Sequence, residues 1–147
     1  DFKTMTLPQL LYERPGIQTI DGDITYNEDN GYYYLYFKHD EDQTIAYVKS
    51  KSLIGPYEEP PVVVSLSSHG VEGSSMYKIT GTDSWIMIMD EYSQENFFMQ
   101  QTKDMENFRP VNPDNYSFSG VRPHHGSVVA ISDEDYDRLV EAFGIMK

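Results

Sequence analysis

The chain has 147 residues, of which 39% are hydrophobic, and a formal net charge of −13 at pH 7. This length predicts about one domain, and no apolar run reaches the roughly twenty residues of a membrane-spanning helix. The negative charge argues against nucleic acid and against an anionic membrane as partners, because both would repel the chain. The absence of cysteine excludes disulfides and leaves the compartment open.

The first part of the chain has the pattern of an antiparallel meander. We interpret residues 1–16 as an outer strand of a preceding unit and a linker. Strand-forming side chains follow at 24–26, 32–37 and 44–49, separated by the polar clusters NEDNG and HDEDQ, which are typical of hairpin turns. Residues 17–66 are therefore predicted to form one four-stranded unit.

A second meander and a helix complete the chain. Strands are predicted at 76–79, 85–89 and 96–101, within a unit that spans 67–118. The stretch SDEDYDRLVEAFG begins with a serine cap and places apolar residues at helical spacing before a glycine. A helix is therefore predicted within 133–147, after an inner strand of a further unit at 119–132.

One motif recurs at a nearly constant interval. IDGDIT, VEGSSM and HHGSVV each place an ionisable residue before a glycine and a strand, and these ionisable residues are Asp21, Glu72 and His125, spaced 51 and 53 residues apart. A second register, formed by DFKTMT, SLIGPY and DMENFR, repeats in steps of 51 and 52. A period of about 40 to 50 residues indicates β-propeller blades.

This period makes a prediction about a shared site. The first strand of each propeller blade lines the central channel, so equivalent positions converge there. We therefore expect Asp21, Glu72 and His125 to lie close together, with the following glycines allowing neighbouring backbones to approach. For Glu72 taken alone, the alternative is a solvated strand end.

At these motifs the chain resembles glycoside hydrolase family 43. The stretches IDGDITYNEDNGYYYLYFK, VEGSSMYKI, DEY and HHGSVVAIS are similar to the later blades of this family, whose five-bladed propellers cleave arabinose- and xylose-containing plant polysaccharides. The resemblance covers about residues 1–132. It implies an all-β fold: a partial, about half, five-bladed β-propeller of four-stranded antiparallel blades, with a short C-terminal helix.

The resemblance also implies roles for the three converging residues. It implies an inverting hydrolysis in which Glu72 matches the general acid and Asp21 matches the aspartate that tunes its pKa. His125 matches an axial histidine that in many members faces a calcium ion through water, so a calcium ion at the propeller axis is expected. Crowding Asp21 beside Glu72 is expected to raise one carboxyl pKa at the expense of the other.

Further residues are expected around this site. The second strand of each blade returns to the face where the first begins, which brings Lys38, His39, Asp90 and Tyr92 toward it, although these residues could equally belong to solvated turns. Trp85 is expected in the core. The predicted substrate-binding residues are Lys38, Asp90, Tyr92, Tyr116, Phe118 and Arg122. For Tyr116 and Phe118 the alternative is packing over a sheet.

Two sequence features depart from the family pattern. Ser74 stands where many members have proline, and His124 stands where they have arginine, with Arg122 two residues earlier. The chain also offers no segment that matches the family's catalytic base, as expected of a C-terminal half.

The sequence leaves two interpretations of function. One is the C-terminal half of a glycoside hydrolase, and the alternative is a non-catalytic half-propeller that binds carbohydrate or another protein. A half-ring is expected to associate with the missing N-terminal half or with a second copy as a homodimer. We favour an extracellular or periplasmic location over a cytoplasmic one.

Overall fold

The protein is all-β apart from one helix, in a computed structural model that describes residues 3–118 and 124–144. The described strands form two four-stranded antiparallel sheets, with the strand order following the chain in each. The N-terminal sheet contains β1 (Thr19–Asn27), β2 (Tyr32–His39), β3 (Thr44–Ser50) and β4 (Val62–Val63). The C-terminal sheet contains β5 (Glu72–Lys78), β6 (Trp85–Glu91), β7 (Asn96–Thr102) and β8 (Phe108–Pro110). Both predicted meanders are confirmed.

The main core contains buried side chains of both sheets. Because successive strand residues point to opposite faces, alternate residues of β2 and β3 reach this core. Trp85 lies in it, as expected. The buried members are Tyr34, Tyr36, Ile45, Tyr47, Val64, Val71, Met76, Trp85, Met87, Met89 and Met105. Two smaller clusters cover the opposite faces, one built around Leu35 and Phe37 and the other around Ile86 and Ile88.

Each sheet has an irregularity in its first strand, and the two irregularities match. The register of β1 with β2 shifts between Ile20 and Asp23, and that of β5 with β6 shifts between Glu72 and Ser75. Asp21 and Gly73 are the bulge residues with positive φ, at 54° and 55°. Equivalent positions of the two sheets are thus 52 residues apart in the chain, and Asp21 corresponds to Gly73. The sequence alignment that paired Asp21 with Glu72 was off by one residue, because the repeated glycine does not mark the same bulge position.

The helix α1 (Asp133–Phe143) forms where the sequence predicts it. The Oγ atom of Ser132 caps it by accepting a hydrogen bond from the Asp135 N–H at 3.1 Å, and Gly144 follows with a φ of 77°. Most apolar side chains of the helix are exposed, among them Leu139 and Phe143. No helix in the described part of the chain is long and apolar enough to cross a membrane.

The flanking segments contain no strand in the described residues. Residues 3–16 are irregular, and residues 124–132 run without β-pairing. The predicted outer strand within 1–16 and inner strand within 119–132 are therefore not formed in these parts, since a strand needs a hydrogen-bonded neighbour and the described residues offer none there. Residues 119–123 of the second segment lie outside the described chain.

Candidate active site

The three residues predicted to converge do meet at one end of the two sheets. The Nε2 atom of His125 lies 3.0 Å from the Oε1 atom of Glu72 and 3.9 Å from the Oδ2 atom of Asp21. One ligand atom from each residue lies within 4.8 Å of the others. All three side chains remain partly exposed, so a ligand can reach them.

The two matching bulges build this cluster. The positive φ of Asp21 turns its carboxylate toward the C-terminal sheet, where its Oδ2 atom accepts the N–H of Gly73 at 3.2 Å. Gly73 has no Cβ, and a Cβ at this position would lie 2.6 Å from the ring of His125. The glycine therefore permits the imidazole to rest against the backbone beside Glu72.

A buried cation holds the other oxygen of Glu72. The Nζ atom of Lys38 donates to the Oε2 atom of Glu72 at 2.9 Å and lies 3.0 Å from the Oδ1 atom of Asp40. It also sits 5.0 Å from the centre of the Tyr92 ring. Lys38, Asp40 and Tyr92 thus belong to the immediate surroundings of Glu72.

These contacts set the protonation of Glu72. Burial raises the pKa of Glu72, but its hydrogen bonds with Lys38 and His125 outweigh burial and leave the pKa below its usual value. The bond to Glu72 in turn raises the pKa of His125. The expectation that crowding with Asp21 would raise one of the two carboxyl pKa values is not met at Glu72, because Lys38 and His125 both hold its carboxylate.

Asp90 lies behind Glu72 and is completely buried. It is paired with Glu72 in the register of β5 and β6. Among the described residues neither of its carboxylate oxygens has a hydrogen-bond partner, and the Nδ1 atom of His124 lies 3.5 Å from Oδ2. Burial raises the pKa of Asp90. The charges of His124 and His125 oppose this rise, so they partly compensate the buried carboxyl group.

The predicted aromatic stacking residues lie elsewhere. Phe118 packs edge-on against Phe97 with ring centres 4.7 Å apart, and Tyr116 contacts Phe118 at 5.9 Å. Both cover the second face of the C-terminal sheet, beside Ile86 and Ile88. This placement matches the packing alternative. Arg122 lies outside the described residues.

Sequence reasoning missed two carboxylates near the cluster. Asp23 joins the sheets, since its Oδ2 atom accepts the N–H of Met76 at 3.2 Å. Asp40 shares Lys38 with Glu72. The signal for Asp40 was its position two residues after Lys38, which places the two side chains near the same strand end. His39, expected near the site, instead pairs with Asp42 at 2.8 Å.

A comparison with protein-family models identifies the family of the chain. The model of a family described as a probable glycosyl hydrolase domain, related to glycoside hydrolase family 43, matches residues 1–137. The chain belongs to this family. Its function is therefore glycoside hydrolase-like. A search of curated proteins finds no match to the chain.

Proposed function

We propose that this chain is the acid-bearing part of a glycoside hydrolase that acts on arabinose- or xylose-containing plant saccharides with inversion. In this proposal the two sheets are adjacent propeller blades. The observation that carries the proposal is the convergence of Asp21, Glu72 and His125 at the sheet ends in a chain of this hydrolase family.

Each residue has a defined task in the proposed reaction. Glu72 donates a proton to the leaving glycosidic oxygen, and a carboxylate about 6.5 to 9.5 Å away activates water on the opposite face of the sugar. That base is not assigned to this chain. Asp21, oriented by the N–H of Gly73, adjusts the proton affinity of the acid and positions it. Lys38 and Tyr92 line the approach to Glu72.

The lowered pKa of Glu72 adds a requirement to this mechanism. An acid must carry its proton when the substrate is bound, yet Lys38 and His125 favour the ionised form. Lys38 already contacts Asp40 as a second partner. A sugar that draws Lys38 toward Asp40 and displaces His125 would remove both cationic contacts and raise the pKa of Glu72.

The same observation favours a second candidate function. A carboxylate kept ionised by two cations is suited to accept hydrogen bonds from sugar hydroxyl groups. The alternative proposal is therefore a carbohydrate-binding module without catalysis. The two proposals differ in whether turnover accompanies binding.

Hydrolysis assays on the polypeptide that carries these residues, with any sequence encoded ahead of Asp1, separate the two proposals. For an enzyme, Glu72→Gln lowers turnover of arabino- or xylo-oligosaccharides by about 10²- to 10⁴-fold while binding persists, because the amide cannot donate the proton. The loss is smaller on nitrophenyl glycosides, whose leaving group needs little protonation. Glu134→Gln, on the exposed helix α1, is the control and leaves turnover unchanged.

Binding of the oligosaccharide without any turnover would favour the module. Equal losses on good and poor leaving groups, or full activity in Glu72→Gln, would contradict the assignment of Glu72 as the acid.

A further inference from the structure

The two oxygens of the Glu72 carboxylate face different surroundings. The Oε1 atom faces the Nε2 atom of His125, beside a cleft of about 330 Å³ that Asp21 also lines. The Oε2 atom accepts the bond from Lys38, whose Nζ atom lies 5.0 Å from the centre of the Tyr92 ring. A glycosidic bond that meets Glu72 therefore has protein surface on both sides, one for each of the sugars that it joins.

Three segments of the chain meet on the Oε2 side of Glu72. They are the β2–β3 turn with Gln43, the segment before β5 with Gly70, and the end of β6, which Tyr92 follows. The backbone N–H of Val71 donates to the carbonyl of Gln43 at 3.0 Å, which fixes the turn against the segment that leads into Glu72. We call the surface formed by Gln43, Gly70 and Tyr92 the ledge.

The glycine of the ledge is needed for space. A Cβ at Gly70 would lie 2.5 Å from the hydroxyl oxygen of Tyr92 and 2.6 Å from the Oε1 atom of Gln43. Gly70 does not have a positive φ, so its backbone conformation would accept alanine. The two polar side chains therefore reach over the same point of the backbone, which only the absence of a side chain at Gly70 allows.

The ledge carries the groups that recognise a neutral sugar. The Tyr92 hydroxyl can donate and accept a hydrogen bond, and the Gln43 amide offers one carbonyl oxygen and two N–H donors. Gln43 is exposed and Tyr92 is partly exposed, so a ligand can reach both. Sugar hydroxyl groups would pair with these atoms, whereas an alkyl or aryl leaving group has no hydroxyl groups to offer.

Charge determines which sugar belongs on which side. Glycoside hydrolysis passes through an oxocarbenium-like transition state, so positive charge develops on the reacting sugar. The cleft is lined by the carboxylates of Asp21 and Asp23, whereas the ledge adjoins the ammonium group of Lys38. The reacting sugar is therefore stabilised in the cleft, and the leaving sugar is left to the ledge.

We propose that Gln43 and Tyr92 bind the leaving sugar and that Gly70 keeps the space in which both side chains meet it. The substrate is then a saccharide whose leaving group is itself a sugar. The assignment of the ledge to the leaving side rests on the proposed function, whereas binding of a sugar to the ledge does not require turnover.

Paired substrates test this proposal in the polypeptide used for the hydrolysis assay. Gln43→Asn shortens the side chain, and asparagine tolerates the left-handed backbone at a φ of 56°. This variant should lower kcat/KM about five- to tenfold on a xylo- or arabino-disaccharide, because a hydrogen bond to the leaving sugar is lost. On the matching nitrophenyl glycoside the loss should stay below about twofold, since the nitrophenyl group has no sugar hydroxyl groups.

Two further single variants complete this test. Tyr92→Phe keeps the ring beside Lys38 but removes the hydroxyl, and it should show the same difference between the two substrates. Gln9→Asn, at an exposed position of the N-terminal segment, is the matched control and should leave kcat/KM unchanged on both.

Gly70→Ala tests the space on the ledge. Its methyl group would press on both oxygens, so kcat/KM on the disaccharide should fall while circular dichroism shows the sheets intact. Adding Tyr92→Phe removes the nearer of the two contacts. The double variant should therefore lose less than the product of the two single losses.

Calorimetric titration with a xylo- or arabino-trisaccharide and with the free monosaccharide decides the proposal without turnover. Gln43→Asn should weaken trisaccharide binding about five- to tenfold and leave monosaccharide binding unchanged. Equal losses on the disaccharide and the nitrophenyl glycoside, equal losses for the trisaccharide and the monosaccharide, or no loss at all would overturn the proposal. An unaltered polypeptide that binds the trisaccharide but hydrolyses nothing would contradict the proposed function alone.

Discussion

Single side chains in the site owe their properties to partners that are distant in sequence. Glu72 is held by Lys38, 34 positions earlier, and by His125, 53 positions later. A glutamate before a glycine gives no hint of these two contacts. The sequence could predict that the three repeated residues converge, because a repeat period is a global pattern, but it could not predict the direction of the Glu72 pKa. That direction depends on distances of about 3 Å between side chains.

Gly73 provides a test of how the site is assembled. Gly73→Ala should lower the free energy of unfolding by about 2 to 3 kcal/mol, because alanine is strained at a φ of 55° and its Cβ would lie 2.6 Å from the His125 ring. Chemical denaturation measures this change. The NMR signals of the His125 ring should shift in the same variant.

The matched control is Gly81→Ala. Gly81 has a φ of 76° but no atom within 4 Å of an added Cβ, so this variant isolates backbone strain, about 1 kcal/mol. If the two substitutions cost the same, the contact between Gly73 and His125 would not contribute to stability.

The secondary-structure elements were the part of the fold that sequence predicted best. Alternating apolar residues and polar turn clusters located the hairpins, and the cap and glycine located α1 at Asp133–Phe143. The short strands β4 and β8, of two and three residues, carry too little alternation to be recognised. The one-residue error at Asp21 arose because the motifs were aligned on their glycines, whereas Gly73 occupies the bulge position that Asp21 holds in the first sheet.

The loop between β7 and β8 joins the two sheets at a distance from the site. The Oε1 atom of Glu106 accepts hydrogen bonds from Tyr34 and Lys49, both at 2.8 Å, and the buried Tyr36 hydroxyl donates to the carbonyl of Met105. Burial raises the pKa of Glu106, but the bonds from Lys49 and Tyr34 outweigh it and lower the pKa. An ionised Glu106 therefore stabilises the contact between the sheets.

This contact predicts a pH-dependent stability. Because the pKa of Glu106 is lower in the folded chain, its contribution is present above the unfolded value of about 4.3 and is lost as the pH falls through the folded value. Glu106→Gln should therefore reduce the free energy of unfolding by about 1 kcal/mol at neutral pH, a modest loss because the group is partly exposed. The difference from the unaltered chain should shrink below about pH 4.

Urea denaturation across this pH range measures the effect, with Glu28→Gln in the exposed β1–β2 turn as the control that shows no such pH dependence. A Glu106→Gln penalty that stays constant down to low pH would mean that the charge of Glu106 plays no part.

The molecule as a whole exposes apolar side chains at both of its flanking segments. Met5, Leu7 and Leu10 are at least 76% exposed before the first sheet, and Leu139 and Phe143 of α1 are 48% and 81% exposed. An eleven-residue helix is marginal in water without packing partners. These surfaces support the proposal that the chain associates, either with a second copy or with another polypeptide segment.

The net charge of −13 opposes association of identical chains, whereas the exposed apolar side chains favour it. Because salt weakens only the first of these effects, the proposed association can be tested. Raising the salt concentration to about 0.5 M screens the repulsion but not apolar contact, so sedimentation velocity should show more dimer at high salt than at low salt. Replacing Leu139 and Phe143 together by serine should shift the equilibrium back toward monomer, because it removes the apolar stripe of α1.

Leu53→Ser, at an exposed position outside the helix and the N-terminal segment, is the control and should leave the dimer fraction unchanged. A chain that remains monomeric at high concentration and high salt would show that these surfaces do not recognise each other, and the partner would then have to be a different polypeptide.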